Sequence, residues 1–478
     1  MVRRTKIVAT IGPASESSEA IRSLVEAGMD VARLGFAHGT LASHLENLRR
    51  IRVAAADCGR LVGVLADLPG PKVRTGPFPA PVGALLAVGT RVTLAAGPGM
   101  SDSAMITVEE PGLVGDLEVG DHLALGDGAV VLEVQDTGPD KALAVVQNGG
   151  WLQGRPGLHV PAGRLRASSP TAADLHLLEE VVAAGFDMVA ISFVRSADDI
   201  SRARAAAGPG GPLLVAKIET RPAVDQLTEI IDVADAVMIA RGDLGVECPI
   251  EEVPHLQKHI IRTCVAWGRP VITATQMLES MVHAPTPTRA EVSDIANAVF
   301  DGTDALMLSA ETAIGHDPVS AVRTMARIAI RAEAEADYVQ WGGRLGKLQR
   351  LHALPGLLAI TAATSAAAWQ LALNVEADAI LCCTRTGASA RAIARFRPTA
   401  PLIGLSPSAA TARHLTLTWG LLPMTVPEQA TTDDIVWFAV ERAHAMGLVD
   451  QGDTVVVMAG NPVDPEPVTD DLRVVRVR

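Results

Sequence analysis

The stretch between residues 213 and 289 constrains the fold of this chain more than any other. It contains three short apolar runs, LLVAKIE, AVMIARGD and PVITATQM, and each run ends in polar residues. Runs rich in Val and Ile that are separated by helical segments are typical of strands buried in a parallel sheet. Because α/β proteins place their chemistry at the carboxyl ends of such strands, we expect the polar residues that end these runs to form one site.

The same alternation of strand-like and helix-like segments continues on both sides of this stretch, with one interruption. Three strands are predicted before residue 69 and five after residue 166, and between them LPGPKVRTGPFPAP opens a region of short strands and turns. We therefore predict an α/β fold in which residues 1–68 and 166–340 form a (β/α)₈ TIM barrel. Residues 69–165 form an all-β domain inserted after strand 3, and residues 341–478 form a C-terminal open α/β domain.

Composition limits the classes of function. A formal net charge of −13 argues against nucleic-acid binding, which needs a basic face. The five cysteines lack CxxC spacing, so neither a disulfide framework nor a zinc site is expected, and a reducing cytoplasm fits best. The N-terminus shows no signal-peptide pattern. Residues 351–375 carry no Asp, Glu, Lys or Arg, but their Pro, Gly and polar residues favour a buried Ala-rich helix over a membrane span.

Polar side chains at the predicted strand ends converge on one barrel mouth. They are Arg33, Asp67, Ser192, Lys217, Glu219, Asp243, Thr275, Ser309 and Glu311. Glu219 and Asp243 end adjacent strands without a nearby His or Cys, which suits a hard cation such as Mg²⁺ or Mn²⁺. Arg33 and Lys217 beside them indicate a phosphate-bearing substrate. Gly242 can bring main-chain N–H groups close to an anion, although a tight turn would need it equally. A salt-bridged mouth without catalysis is the alternative, and the number of converging ends disfavours it.

Over nearly its whole length the chain resembles the pyruvate kinase family. The resemblance rests on the order and spacing of TKIVATIGPAS, EAGMDVARLGFAHG, DLPGPKVRTG, FDMVAISFVR, AKIET, ARGDLGVE, ATQMLESM, PTRAEVSDIANAVFDGTDALMLSAETAIG and TRTGASAR. The family has the architecture predicted above, with the inserted β domain as a lid. Its members pass the phosphoryl group of phosphoenolpyruvate to ADP, giving ATP and pyruvate in glycolysis. The resemblance therefore implies a phosphotransferase and a homotetramer, with no membrane or nucleic-acid partner.

The resemblance also implies roles for the strand-end residues. Glu219 and Asp243 would hold the Mg²⁺ or Mn²⁺ that bridges the substrate carboxylate and phosphate. Lys217 would neutralise the oxygens of the transferring phosphoryl group, and Arg33 would hold the phosphate.

The substrate carboxylate and the nucleotide are assigned in the same way. Main-chain groups near Gly242 and Asp243, with the Thr275 hydroxyl, would bind the carboxylate, and Thr275 lies at the face where the enolate is protonated. The positions that match the nucleotide side, between barrel and lid, are His38, Arg74, Asp127 and Arg155.

One group of positions departs from the family pattern. Many members bind K⁺ through an Asn, a Ser, an Asp and a Thr, where this chain has Gly35, Ala37, Asp67 and Leu68. Three of the four oxygen-bearing side chains are therefore missing, and a hard cation needs oxygen ligands. Lys72 stands where K⁺-dependent members carry Glu, and its ammonium could replace the K⁺ charge. We predict that activity does not require K⁺.

Two alternative functions stay open, and so does the role of one loop in the C-terminal domain. A paralogue that has lost the kinase reaction and binds phosphorylated metabolites as a regulator would carry the same K⁺-site losses. Another metal-dependent enolate enzyme on the same barrel, such as a lyase or aldolase, is disfavoured by the β insertion and the C-terminal domain.

The TRTGAS loop resembles the phosphate-effector loop of the family, although an ordinary strand-to-helix turn fits it equally. Its residues of interest are Thr384, Arg385, Thr386, Gly387 and Ser389.

Overall fold

The structure is a computed structural model. It describes residues 3–478 apart from 72, 81, 111, 127, 129, 162–163, 165–167, 352–356 and 465–467. Two residues predicted to contribute to the site, Lys72 and Asp127, therefore lie outside the described residues.

The chain begins with three strands that alternate with helices. They are β1 (Lys6–Thr10), α1 (Ser18–Ala27), β2 (Val31–Gly35), α2 (Leu41–Asp57) and β3 (Gly63–Asp67). Helix α1 begins where the Ser17 side chain accepts a hydrogen bond from the Ala20 N–H. It ends at Gly28, whose φ of 113° is left-handed backbone that glycine adopts without strain. Local capping thus separates β1 from β2.

A mainly β unit follows, which we call the inserted β domain. Its elements are β4 (Ala84–Leu86), β5 (Arg91–Ala96), β6 (Met105–Val108), α3 (Leu113–Asp116), β7 (His122–Leu125), β8 (Val130–Thr137), β9 (Lys141–Asn148), β10 (Gly150–Leu152) and β11 (Leu158–His159). Six strands form one sheet in the order β11-β7-β8-β9-β5-β6, and β4 pairs with β10. Burial alternates along the strands, so their apolar faces form a separate core.

The alternation of strands and helices then resumes. The elements are α4 (Ala172–Ala184), β12 (Met188–Ile191), α5 (Ala197–Ala207), β13 (Leu213–Ile218), α6 (Arg221–Asp225), α7 (Leu227–Val233), β14 (Ala236–Ala240), α8 (Arg241–Glu247), α9 (Val253–Trp267), β15 (Val271–Ala274), α10 (Arg289–Asp301), β16 (Ala305–Leu308), α11 (Ala310–Ala313) and α12 (Pro318–Glu335). Strands β1–β3 and β12–β16 form a closed parallel barrel in chain order, and β16 pairs back onto β1. The TIM barrel interrupted after strand 3 is confirmed, whereas the predicted residue boundaries of the domains stay a prediction.

The last part of the chain forms an open sheet flanked by helices. Its elements are α13 (Tyr338–Leu351), α14 (Leu357–Asn374), β17 (Ala379–Cys383), α15 (Ala388–Ala394), β18 (Leu402–Ser406), α16 (Ala409–His414), β19 (Leu421–Thr425), α17 (Thr432–Ala445), β20 (Thr454–Ala459) and β21 (Asp471–Arg476). The strand order is β19-β18-β17-β20-β21, with β21 antiparallel to β20 and the other pairs parallel. The predicted C-terminal α/β domain is confirmed. Across the described part of the chain, no helix has both the length and the apolar character needed to cross a membrane.

Candidate active site

The barrel interior places the polar strand ends in one layer. A buried cluster contains residues from all eight barrel strands, among them Val31, Leu65, Ala190 and Val215. Two residues further along the chain from each of these four are Arg33, Asp67, Ser192 and Lys217. Because side chains of a strand repeat with a period of two, the polar residues lie directly above the apolar layer at the barrel mouth.

Lys217 lies at the centre of this layer. Its Nζ donates a hydrogen bond to Ser192 Oγ at 2.7 Å and lies 3.5 Å from Asp67 Oδ1 and 3.2 Å from Glu219 Oε2. Burial disfavours the charged ammonium, but the carboxylates of Asp67, Glu219 and Asp243 outweigh burial and raise the pKa of Lys217. The side chain is therefore a fixed positive charge at neutral pH.

Arg33 is held beside Lys217 by the same carboxylate. Its Nε donates to Asp67 Oδ2 at 2.7 Å, and one terminal nitrogen donates to Thr10 Oγ1 at 3.1 Å. Burial alone would raise the pKa of Asp67, but Lys217 and Arg33 lower it below its ordinary value. Asp67 is thus an anion that orients two cationic side chains toward the mouth.

Glu219 is a fully buried carboxylate with one oxygen left open. Its Oε1 accepts the Phe193 N–H at 2.6 Å, and Phe193 adopts a left-handed φ of 54°. Within the described residues Oε2 accepts no hydrogen bond, although Lys217 Nζ lies 3.2 Å away. Burial raises the pKa of Glu219, and Asp243 adds to this effect while Lys217 opposes it. A buried carboxylate oxygen without a donor is what a metal ligand needs.

Asp243 is half-buried and lies in the first turn of α8, directly after β14. Strands β13 and β14 are hydrogen-bonded neighbours, so Glu219 and Asp243 follow adjacent strand ends. Among the described residues, no three His, Cys, Asp or Glu side chains gather into a metal-binding cluster. A pair of carboxylates fits Mg²⁺ or Mn²⁺, because these ions take water and substrate oxygens as their remaining ligands. It does not fit a closed zinc site.

Gly242 and Thr275, predicted to bind a carboxylate, contact each other. The Gly242 N–H donates to Thr275 Oγ1 at 2.9 Å. Thr275 has a left-handed φ of 67°, which is strained for a β-branched residue. Arg241, for which the sequence predicted no role, stabilises this backbone by donating to the carbonyls of Ala274 at 3.2 Å and Thr275 at 2.7 Å. In the sequence, Arg241 stands directly before Gly242 at the end of a predicted strand, and that position could have indicated a role at the site.

The residues predicted for the nucleotide are brought together only in part. Arg74 donates to the main-chain carbonyl of Arg155 at 3.2 Å, and Arg155 forms an ion pair with Glu109. His38 is exposed in the segment after β2, and its carbonyl accepts a hydrogen bond from the His44 ring at 2.7 Å. The predicted role of Asp127 falls outside the described residues.

The positions that replace the K⁺ ligands carry no side-chain oxygen apart from Asp67. Leu68 is buried, and Gly35 lies beside Arg33, whose guanidinium a β-carbon at Gly35 would approach to 3.8 Å. Both Asp67 oxygens already face donors or cations, from Arg33 on one side and Lys217 on the other. The role predicted for Lys72 falls outside the described residues.

The loop predicted to bind an effector lines a cleft of the C-terminal domain. The residues that line this cleft include Thr384, Arg385, Thr386 and Ser389. The Arg385 guanidinium donates to the carbonyls of Pro462 at 3.1 Å and Asp464 at 2.9 Å. Gly387 has a φ of 83°, and its N–H donates to Thr384 Oγ1 at 2.9 Å. An effector site and an ordinary strand-to-helix turn are the two interpretations that the sequence left open for this loop.

Comparisons with known proteins identify the family of this chain. The family model described as pyruvate kinase, barrel domain, matches residues 2–322, and that described as pyruvate kinase, alpha/beta domain, matches residues 362–475. A pyruvate kinase of Geobacillus stearothermophilus is 41% identical over 480 residues, covering 99% of this chain and 80% of the relative. A pyruvate kinase of Clostridium acetobutylicum is 37% identical over 99% of both chains, and one of Methylorubrum extorquens is 39% identical over 99% of this chain and 97% of its own. The chain therefore belongs to the pyruvate kinase family of phosphotransferases.

Proposed function

We propose that this chain transfers the phosphoryl group of phosphoenolpyruvate to ADP, giving ATP and pyruvate, and that it does so without K⁺. The observation that carries the proposal is the Lys217 ammonium, whose side chain is 13% exposed and which is fixed among Ser192, Asp67 and Glu219 with Arg33 alongside. Phosphoryl transfer depends on positioned charge more than on covalent chemistry with the protein. This mouth offers that charge in a buried setting.

Glu219 and Asp243 would hold Mg²⁺ or Mn²⁺, with the open Glu219 Oε2 as one ligand. The bound ion would neutralise charge on the carboxylate and phosphate of the substrate. Because a carboxylate must be ionised to bind a metal, the raised pKa of Glu219 falls when a cation binds.

The cationic side chains act on the transferring group. In the reaction the bond between phosphorus and the enol oxygen breaks, and a bond to a terminal phosphate oxygen of ADP forms. Lys217 would neutralise the oxygens that stay on phosphorus during the transfer. The Arg33 guanidinium, oriented by Asp67, would bind the phosphate before and during transfer.

The substrate carboxylate would lie at the start of α8. There it would accept hydrogen bonds from the Gly242 and Asp243 main chain and from the Thr275 hydroxyl, and the positive end of the short helix would favour its charge. After transfer the enolate takes up a proton at carbon and becomes pyruvate. Thr275 would stand at the face where that proton arrives.

ADP would bind between the barrel and the inserted β domain, in contact with His38, Arg74, Asp127 and Arg155. The contact of Arg74 with the Arg155 carbonyl supports this proposal for two of the four.

The proposed independence from K⁺ rests on the missing ligands. Gly35, Ala37 and Leu68 offer no side-chain oxygen, and the Asp67 carboxylate is already neutralised by Arg33 and Lys217. In this proposal the Lys72 ammonium supplies the charge that K⁺ supplies in other members.

A lactate-dehydrogenase-coupled assay tests both parts of the proposal. Phosphoenolpyruvate, ADP and Mg²⁺ are mixed with the full-length protein, with K⁺ or with a sodium-free salt of equal ionic strength. We expect pyruvate only when ADP is present, at the same rate in both salts. Many-fold activation by K⁺ would contradict the second part. Binding of phosphoenolpyruvate without pyruvate formation would favour the regulatory paralogue. Pyruvate formation without ADP would mean that water takes up the phosphoryl group, and it would contradict the proposed transfer to ADP.

We also propose a cytoplasmic homotetramer from the family resemblance, and a phosphorylated effector for the cleft beside the loop of residues 384–389. Light scattering coupled to size exclusion tests the homotetramer. The same measurement with added sugar phosphates tests the effector site, through a change in the measured assembly.

A further inference from the structure

His159 reaches from the inserted β domain to the barrel. It is the last residue of β11, and its Nε2–H donates to Glu247 Oε1 at 3.1 Å. Only 13% of the His159 side chain and 5% of the Glu247 side chain are exposed. A hydrogen bond to a carboxylate shielded from water is stronger than the same bond on the surface. The proposed chemistry leaves this contact unused.

Glu247 is connected to the helix that carries Asp243. It is the last residue of α8, whose first turn contains Gly242 and Asp243. Its other oxygen, Oε2, faces the Arg221 N–H at 3.4 Å, at the start of α6. Helix α8 has 7 residues, about two turns, so fixing its last residue limits the tilt of its first turn.

The same imidazole lies near the side-chain ring of Phe193, the residue whose N–H holds Glu219. The ring centroids of His159 and Phe193 are 6.3 Å apart, within the range of aromatic contacts, and the Phe193 N–H donates to Glu219 Oε1 at 2.6 Å. Gly70, where the chain leaves the barrel for the inserted β domain, packs on the ring of Phe193. A β-carbon at Gly70 would lie 2.8 Å from Phe193 Cδ2. The Phe193 ring is thus contacted from two sides, by His159 and by Gly70.

We propose that His159 is a positioning residue that couples the inserted β domain to both metal-binding carboxylates. It acts on Glu219 through Phe193 and on Asp243 through Glu247 and α8. The inference rests on the proposed function only in assigning these two carboxylates to a divalent metal. Groups that orient metal ligands without touching the metal commonly determine metal affinity.

Mn²⁺ binding to the full-length protein, without substrate or nucleotide, tests this inference. The free ion is measured by electron paramagnetic resonance. We expect His159→Phe, which keeps a ring but loses the donor, to weaken Mn²⁺ binding about 10-fold. His159→Gln places an amide N–H near the position of Nε2 and should restore most of the affinity. His122→Phe, on an exposed position of β7, is the matched control and should bind like the wild type.

A double-mutant cycle locates the coupling. Glu247→Ala should weaken Mn²⁺ binding as His159→Phe does, and the double variant should be no weaker than either single one. The inference is overturned if His159→Phe binds Mn²⁺ like His122→Phe, or if His159→Gln is as weak as His159→Phe. If His159→Phe does not fold, Glu247→Ala decides the outcome: weaker Mn²⁺ binding than in His122→Phe supports the inference, and equal binding overturns it.

Failure of the proposed function has a different signature. A wild-type protein that binds Mn²⁺ but forms no pyruvate contradicts the kinase, while the effect of His159 on Mn²⁺ affinity still supports or overturns this inference. A wild-type protein that binds no Mn²⁺ overturns this inference together with the assignment of Glu219 and Asp243 as metal ligands.

Discussion

The main-chain N–H of Gly242 donates a 2.9 Å hydrogen bond to the hydroxyl oxygen of Thr275, and that hydroxyl donates to the Ala274 carbonyl at 2.7 Å. The two groups proposed to bind the substrate carboxylate are therefore partners of each other, across the ends of the neighbouring strands β14 and β15. A carboxylate that enters between them would accept one hydrogen bond from the Gly242 N–H and one from the Thr275 hydroxyl. The hydroxyl thus keeps the amide of the first turn of α8 oriented toward the place where the anion binds.

Replacing Thr275 by Ala should therefore reduce turnover more than stability. The variant loses one donor to the substrate and the partner of the Gly242 N–H, so we expect kcat/KM for phosphoenolpyruvate to fall about 100-fold. Thr275 has a φ of 67°, and Ala tolerates this backbone at least as well as a β-branched residue, so the melting temperature should change little. Steady-state kinetics and a thermal melt measure both quantities. Thr275→Ser, which keeps the hydroxyl, is the control and should retain most of the activity.

Lys217→Met removes the central positive charge. We expect turnover to fall by a factor that corresponds to about 3 to 4 kcal/mol, several hundred-fold, as for loss of a central donor. The buried Asp67 and Glu219 carboxylates lose their counter-charge, but protonation can neutralise them, so a folded protein with a cooperative melt is expected. The coupled assay and calorimetry test this.

The matched control for that variant is Lys258→Met. Lys258 also forms an ion pair, with Asp301, but on helices α9 and α10 away from the barrel mouth. It should retain wild-type turnover. Near-normal turnover of Lys217→Met would refute the role assigned to this ammonium.

The barrel and its polar mouth were predictable because both follow from local patterns. Each buried strand of the barrel is a short apolar run, and period-two geometry alone places Asp67 and Lys217 on the face that continues the interior. In the C-terminal sheet the apolar runs AILCCT, LIGLS and TVVVMAG predict three strands, and the two strands that they miss, β19 and β21, lie at the edges. One, LLPMT, contains Pro423, and the other, DLRVVR, is half polar, so neither resembles a buried strand.

The contacts that stabilise the mouth could not be found in the same way. The Phe193 N–H that holds Glu219, the Arg241 guanidinium that holds Thr275, and the His159 imidazole all act on residues of another element. Such contacts depend on which strands become neighbours and on how the inserted β domain lies against the barrel. A single sequence does not specify these distances.

Asp30, between α1 and β2, should make stability depend on pH. Burial alone would raise its pKa, but Arg3, Lys6 and Arg60 lower it below the ordinary value, and the Ile7 N–H also stabilises the anion. A group whose pKa is lower in the folded state stabilises the fold above its unfolded pKa, and this contribution disappears as the pH falls through the folded pKa. Asp30→Asn should therefore cost about 3 kcal/mol at pH 7.

Calorimetry at several pH values measures this dependence. The deficit in melting temperature of Asp30→Asn should be equal at pH 7 and pH 5, and should shrink below about pH 4 as the wild-type carboxyl becomes protonated. Asp57→Asn, at the exposed end of α2, should match the wild type throughout. A deficit that stayed constant down to the acid transition would show that the charge of Asp30 is not what stabilises the fold.

Glu219→Gln should remove metal binding without unfolding the barrel. The amide oxygen can still accept the Phe193 N–H, so the main-chain contact survives, but the open oxygen that faces Lys217 is lost as an anionic ligand. Because Mg²⁺ and Mn²⁺ prefer charged oxygen ligands, we expect Mn²⁺ affinity to fall by about 100-fold or more, with a similar loss of turnover. Titration calorimetry with Mn²⁺ measures the affinity, and exposed Glu279→Gln is the control that should bind normally. Unchanged Mn²⁺ affinity in Glu219→Gln would exclude this carboxylate as a ligand and move the metal site elsewhere.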